Sequence, residues 1–366
     1  MSKPADAIRV LIVDDSAVIR GALGRIIDDE PDMLVVTTAP NGKVALDALR
    51  HTTVDVVLLD VEMPEMDGLT ALPLILAACP DTRVIMASSL TQRGAEVTMH
   101  ALALGAADYI AKPAAKTGSA SLAAVKVEIA SKVRAIGRAT RDRRPAAAEH
   151  SGAPAGPASA ARVELFATRT GIARPRILTI AASTGGPNAL ADLLSGLPGD
   201  FPLPILITQH MPAVFTTLLA QRLERDTKRR CVEASDGEPI RPDSTYVAPG
   251  GLHMIVQTHE GQPFVRLTKT EPENFCRPSA DPMFRSIAAL YGASTLAVVL
   301  TGMGEDGLRG VREVKQRGGR VLVQDEATSV VWGMPGAVAA AGLADEILPL
   351  LAITPAILAS TLAVAA

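Results

Sequence analysis

The chain has 366 residues, more than a single domain of ordinary size usually holds, so two domains are expected. Its formal net charge of −3 supplies no positive field to hold DNA or RNA, and 48% apolar with only 3% aromatic residues points to aliphatic cores of helices packed on parallel sheets. The cysteines, Cys79, Cys231 and Cys276, lie far apart with no CxxC pair, which argues against a disulfide framework or a zinc site.

The N-terminus MSKPADAIRV lacks the apolar core of a signal peptide, and no run reaches the roughly 18 apolar residues of a membrane span. A soluble cytoplasmic protein without membrane insertion is the expectation. Ile8–Val13 reads as a buried strand, and Ala17–Ile27 as a helix with Val18, Ala22 and Ile26 on one face. Val54–Leu59 and Val84–Ala87 are further buried runs. Buried strands alternating with helices mean a parallel, doubly wound sheet, whose ligands bind beyond the carboxyl ends of its strands.

The acidic residues fall at those ends. Asp14 and Asp15 follow the first strand, and Asp60 ends the run LLD. Three carboxylates there make a hard-oxygen site suited to Mg²⁺, which would offset the charge of a phosphoryl donor and an attacking carboxylate. Lys112 supplies a further positive charge, and its bond to Pro113 is a candidate for the cis form. Ser88 is placed to hydrogen-bond a phosphoryl oxygen, and Tyr109, at the start of the next strand, to move with it. VDDS alone would read equally well as an ordinary helix cap; it is the run of four successive strand ends that favours function.

In order, VDDS, LLDVEMPEMDG, MASS and AADYIAKP resemble the bacterial response-regulator receiver family over residues 7–135. The resemblance implies a flavodoxin-like receiver with strand order 2-1-3-4-5. It implies Asp60 as phosphoacceptor from a histidine kinase of the CheA type. Asp14, Asp15, Asp60 and the Glu62 backbone carbonyl then surround Mg²⁺, Ser88 and Tyr109 form the switch pair, and Lys112 is the cation of the motif.

From Gly137 to about Pro175 the composition turns to Ala, Arg, Pro and Gly with almost no apolar periodicity. Such a segment buries too little surface to offset its ordering entropy, so a mobile linker is expected. The expected organisation is a receiver over 1–136, a linker over 137–175 and a second domain over 176–366.

The second domain repeats the strand–helix alternation. Strands are expected at Ile177–Ala181, Ile205–Thr208, Leu296–Leu300 and Val321–Val323, and helices at Asn188–Leu197, Ala213–Arg225 and Pro282–Leu290. An antiparallel hairpin pair is expected between Ser244 and Leu267, giving an α/β fold with a mostly parallel sheet. Ser183 sits at a strand-to-helix turn, followed by Thr184, Gly185 and Gly186, where glycines admit a substrate backbone and the helix start offers free N–H groups to a developing charge. The turn lacks the GxSxG elbow, and no GxGxxG or GxxxxGK[ST] phosphate loop is present. Taken alone, STGGP reads as a capped helix start.

His210 ends a strand at the same sheet edge, with His253 its main competitor; His51, His100, His150 and His259 fit solvated faces, the linker or a turn. A serine–histidine pair needs an acid to orient the imidazole. Asp306, within LTGMGEDG, follows a strand, and Met303 or a neighbour there could donate to an oxyanion; Asp281, Asp325 and Glu326 are rival acids on pattern alone.

In order, ASTGGP, TQHMPAVFT, YVAPGGLHM, LTGMGEDG and VVWGMPGAV resemble the CheB methylesterase family over residues 176–350. The resemblance selects Asp306 as the acid beside Ser183 and His210, and makes Thr184, Gly185 and Met303 candidates for the oxyanion site and cleft. It implies hydrolysis of glutamyl methyl esters on chemoreceptors, with deamidation of receptor glutamines, and no cofactor for that reaction. With two domains in one chain, the unphosphorylated receiver is expected to cover the cleft and phosphorylation at Asp60 to favour an open state.

Overall fold

The protein is described here from a computed structural model, covering residues 3–4, 6–89, 91–113, 119–143 and 173–362. The first unit is a five-stranded sheet of β1 (Ile8–Val13), β2 (Met33–Ala39), β3 (Val56–Asp60), β4 (Arg83–Ser88) and β5 (Asp108–Ala111). Its order is β2-β1-β3-β4-β5 and every pair is parallel. Helices α1 (Ala17–Asp28), α2 (Gly42–Leu49), α3 (Gly68–Ala78), α4 (Gln92–Ala103) and α5 (Ser119–Asp142) cover its two faces. The order reverses between β1 and β3, so Asp14, Asp15 and Asp60 stand at the crevice where such sheets bind ligands.

Three expectations need correction. The buried face of α1 is Leu23, Ile26 and Ile27, whereas Val18 is 76% exposed. The Lys112–Pro113 bond is not cis; among the described residues Arg277–Pro278 is. Helix α5 continues past residue 136 to Asp142, because its last turns have partners. Ile136 and Thr140 are buried there, Arg134 and Arg138 both pair with Asp32 at 2.8 and 2.9 Å, and Gly137 lies so close to Ile8 that a Cβ would stand 2.4 Å from it. The rest of the expected linker, 144–172, lies outside the described residues.

The second unit is a seven-stranded sheet in the order β14-β13-β12-β6-β7-β9-β8, again parallel at every pair. Its strands are β6 (Ile177–Ala182), β7 (Ile205–Gln209), β8 (Cys231–Glu233), β9 (Thr245–Val247), β12 (Thr295–Val299), β13 (Arg320–Gln324) and β14 (Glu346–Leu348). The central strands β6, β7 and β12 are buried along their whole length. That is why they read as continuous apolar runs rather than alternating ones. Helices α6 (Gly186–Ser195), α7 (Ala213–Thr227), α8 (Ala280–Tyr291), α9 (Leu308–Gln316), α10 (Met334–Ala340) and α11 (Leu350–Leu362) complete the layers. Of the expected hairpin pair, one hairpin forms, β10 (His253–His259) with β11 (Gln262–Thr268); the earlier run enters the main sheet as β9.

The units meet through α4 and β5 of the first and α6 and α7 of the second. The Tyr109 ring stacks on Phe215 with centroids 4.3 Å apart and planes 7° from parallel. Beside it Thr184 Oγ1 donates to Asp108 Oδ2 at 2.7 Å, and Asn188 Nδ2 donates to the Leu102 carbonyl at 2.7 Å. Met303, Val330 and Val331 pack into the apolar cluster that holds Ile129, Val133 and Ile136 of α5. No helix among the described residues is long and apolar enough to cross a membrane.

Candidate active site

Three neighbouring strands of the second sheet, β12, β6 and β7, deliver the candidate residues at their carboxyl ends. Ser183 follows β6, His210 follows β7, and Asp306 lies in the loop between β12 and α9. The chain leaves β6 in one direction and returns on its other side at β12, so the crevice expected of an open α/β sheet opens beside Ser183.

His210 and Asp306 are in contact: His210 Nε2 donates to Asp306 Oδ2 at 2.7 Å. Asp306 is 2% exposed, and three further donors hold it. Ser279 Oγ donates to Oδ1 at 2.6 Å, the Ala280 amide to Oδ2 at 2.7 Å, and Asn274 Nδ2 to Oδ1 at 2.7 Å. Burial would raise the Asp306 pKa, but His210, with Ser279 and the Ala280 amide, holds it down at about 2. Burial would lower that of His210, but Asp306 and then Cys276 push it up to about 10. Cys276 Sγ stands 3.5 Å from His210 Nδ1, the nitrogen not engaged by Asp306.

Of the rival acids, Asp281 lies beside Asp306 and Asp325 sits in a separate turn, and among the described residues neither is bonded to His210. Asp281 accepts from the Gly310 amide at 2.6 Å and from Asn274 at 2.9 Å; burial, with Asp306 beside it, raises its pKa. The cap of α8 is Ser279, and not Asp281 as its place before Pro282 suggests. Asp325 accepts from Thr328, through the amide at 3.0 Å and the hydroxyl at 2.6 Å. His253 is fully buried, its Nδ1 accepting from the Ser279 amide at 3.1 Å and its Nε2 donating to the Glu271 carbonyl at 3.1 Å. It therefore holds in place the segment that carries Ser279 to Asp306. Sequence reasoning missed Ser279, Asn274 and Cys276, all within the short run NFCRPS.

The Ser183 turn is fixed by its backbone. The Ser183 amide donates to the Thr301 carbonyl at 3.0 Å, and the Ser183 carbonyl accepts from Gly186 at 2.8 Å and from Gln209 Nε2 at 2.9 Å. Gly185 has φ +80, and a Cβ on Gly186 would lie 2.0 Å from Gln209 Oε1, so glycine is required at both. Ser183 Oγ makes no hydrogen bond to His210 among the described residues. Among the described residues the amides of Thr184 and Gly185, beside Ser183, have no backbone acceptor.

In the first unit, Asp14, Asp15 and Asp60 offer carboxylate oxygens within 4.8 Å of one another. Lys112 Nζ lies 2.8 Å from Asp14 and 2.6 Å from Asp60. Burial raises the Asp60 pKa, with the Asp14 charge adding and Lys112 opposing. The Glu62 amide donates to Asp60 at 3.4 Å. Ser88 is buried and turned toward α4, its Oγ 3.1 Å from the Gly94 carbonyl and accepting from Thr98 Oγ1 at 2.7 Å. Tyr109 is buried between the units.

A receiver sheet with a carboxylate cluster, followed by an α/β unit built on a seven-stranded parallel sheet, defines a response regulator carrying an α/β output domain. Residues 10–120 match the response regulator receiver domain and residues 178–357 match the CheB methylesterase domain. The chain belongs to the CheB methylesterase family. It is similar to the protein-glutamate methylesterase/protein-glutamine glutaminase of group 2 operon of Rhodospirillum centenum, 48% identical over 368 residues, covering 96% of this chain and 93% of that protein. A protein-glutamate methylesterase/protein-glutamine glutaminase of Azospirillum brasilense is 47% identical over 362 residues, covering 96% of this chain and 92% of that one. The crystal structure of the Thermotoga maritima CheB methylesterase catalytic domain shares 40% identity with a TM-score of 0.49, covering 50% of this chain and 98% of that one.

Proposed function

We propose that this chain hydrolyses γ-glutamyl methyl esters on chemoreceptors, releasing methanol, and deamidates receptor glutamines, under the control of phosphorylation at Asp60. The observation that carries the reading is the 2.7 Å contact of His210 Nε2 with the buried Asp306, at the sheet edge where Ser183 emerges. With Nε2–H committed to Asp306, Nδ1 is the nitrogen left to act as base. Ser183 Oγ attacks the ester carbonyl and gives its proton to Nδ1, and Asp306 stabilises the imidazolium. The amides of Thr184 and Gly185, with Met303 opposite, are the candidates to hold the oxyanion. His210 returns the proton to the departing methoxide, which leaves as methanol. Water then attacks the acyl group with His210 as base, freeing glutamate and Ser183. With a glutamine substrate the same steps release ammonia. The test is incubation with receptors carrying labelled methyl esters: labelled methanol is expected, and its absence overturns the reading.

The Ser183 surroundings leave no slack. A Cβ on Gly302 would lie 2.8 Å from Ser183 Cβ and 2.5 Å from Met334 Sδ. Gly302→Ala is therefore expected to displace the nucleophile and lower kcat by about 10²-fold, the typical cost of a misplacement near 1 Å. Steady-state kinetics beside a circular-dichroism melt would check it; an unchanged kcat would show that the turn tolerates the shift.

Control is proposed to run through the domain contact. Asp14, Asp15 and Asp60 would hold Mg²⁺, which when bound offsets charge at the phosphoryl oxygens. The buried carboxylates of Asp14 and Asp60, both paired with Lys112, and the exposed Asp15 beside them are a donor set that fits such a cation. A phosphoryl group on Asp60, donated by a histidine kinase, would recruit the Ser88 hydroxyl away from Gly94 and Lys112 toward the phosphate. The element that moves carries Asp108 and Tyr109, which bind Thr184 and Phe215. Losing those contacts uncovers the Ser183 turn. Asp60→Asn is expected to keep basal esterase activity but lose stimulation by a phosphoryl donor with Mg²⁺. Removal of residues 1–142 is expected to raise basal activity and make it indifferent to the donor. Equal rates for the truncated and unphosphorylated full-length proteins would show that the receiver activates rather than masks.

A further inference from the structure

One aromatic side chain stands apart from the rest. Among the described residues Phe275 is the aromatic among the exposed large hydrophobics, and it is 103% exposed. It does not project from a loose loop. Glu273 and Cys276 close a two-residue turn by exchanging hydrogen bonds of 3.2 and 2.9 Å, and Asn274 and Phe275 take its left-handed positions with φ 51 and φ 62. A left-handed conformation is common for asparagine but an outlier for a bulky residue, and it persists only where the surroundings over-determine it.

The surroundings do so here. Arg285 grips Glu273 with two hydrogen bonds of 2.9 and 2.6 Å. Asn274 is fastened to Asp306 at 2.7 Å and to Asp281 at 2.9 Å, and Cys276 touches His210 Nδ1 at 3.5 Å. Phe275 lies between two residues that each contact one member of the acid–base pair, so its backbone is tied to the reacting groups while its ring faces outward. Among the described residues no group packs on that ring, and the receiver, docked on α6 and α7, leaves it uncovered.

We infer that Phe275 is a substrate-specificity residue: its ring packs on apolar side chains of the polypeptide that carries the γ-glutamyl methyl ester and so seats the ester carbonyl before Ser183. The inference rests on the esterase reading above. A macromolecular substrate must be held by more than its reacting side chain, and binding energy from parts remote from the reaction is what orients the reacting centre. A rigid, pre-placed aromatic is an economical anchor for such a surface, because little freedom is lost when it is covered.

The experiment uses the full-length protein with acetyl phosphate and Mg²⁺ and two substrates: a soluble receptor cytoplasmic fragment bearing labelled methyl esters, and p-nitrophenyl acetate. The variants are Phe275→Gly, which suits the left-handed turn and so preserves it, and Phe275→Tyr, which retains the ring. Phe275→Gly is expected to raise KM for the receptor fragment about tenfold, a typical loss for an interface anchor, with kcat/KM for the small ester within about twofold of wild type. Phe275→Tyr should restore the KM. Equal KM values for wild type and Phe275→Gly overturn the inference and leave the esterase reading intact. A parallel fall on both substrates overturns it too, since it would place Phe275 in support of His210 rather than in recognition. A dimer that Phe275→Gly converts to monomer, with KM unchanged, would assign the ring to a second copy of the chain. Absence of methanol release by the wild type would remove the esterase reading, and this inference with it.

Discussion

Ser183→Ala is expected to lose ester hydrolysis by roughly 10⁶-fold, the cost of removing the nucleophile from a serine triad, while the fold persists. The fold survives because the turn is held through the backbone: the Ser183 amide and carbonyl are bound by Thr301, Gly186 and Gln209, and the side chain takes no part. The variant should melt within a degree or two of wild type and keep the docked receiver. Near-normal methanol release from it would remove Ser183 as nucleophile and require another attacking group at the same edge.

The second large effect is at Asp306. Asp306→Asn is expected to lower kcat by about 10⁴-fold, the loss measured when a triad acid becomes an amide and the imidazole takes the wrong tautomer. It should also move the pH profile, and the sign follows from the causes of the shift. Burial opposes the proton on His210, whereas Asp306 and Cys276 hold it, with a net rise to about 10. A base works only when neutral, so wild-type kcat/KM should climb with pH toward that value. Without the Asp306 charge, burial weighs more and the ascending limb should move to lower pH. A limb that stays in place, or a larger loss from Asp325→Asn than from Asp306→Asn, would show that another carboxylate governs the imidazole.

Much of this arrangement is legible in the residues because parallel sheets are buried on both faces. Strands β1, β3, β6 and β7 are largely aliphatic runs that lead directly to Asp14, Asp60, Ser183 and His210, and β12 leads into the loop that holds Asp306. Strand β2 escaped notice for the converse reason: at the sheet edge, with Leu34 and Thr38 exposed, MLVVTTA has neither a continuous apolar run nor a clean alternation. Strands β8 and β14 are three residues each, too short to show any period. Among helices, the face of α1 was misjudged by one position, which at 100° per residue puts Val18 in solvent.

The strand-end logic also offered Ser183, His210 and Asp306 as candidates, with Asp281, Asp325 and Glu326 as rivals until the family resemblance selected Asp306, but it did not offer the groups that contact His210 and Asp306. Ser279, Asn274 and Cys276 meet the acid–base pair only because residues 273–280 fold back over it, and no local pattern announces such a return. Asp108 was passed over beside Tyr109 because its partner, Thr184, is 76 residues away in the other unit.

The bond between Asp108 and Thr184 has a thermodynamic corollary. Thr184 adjoins Ser183, and Asp108 begins the strand β5 that leads through Tyr109 to Lys112, so one hydrogen bond ties that strand to the Ser183 turn. Coupling free energies are symmetrical: if modification of Asp60 breaks that bond, then any ligand that enters the cleft by breaking it must favour the modified receiver by the same factor. A tight-binding substrate or an acyl group on Ser183 would then act as an effector of its own regulator, favouring the phosphorylated receiver by that same factor.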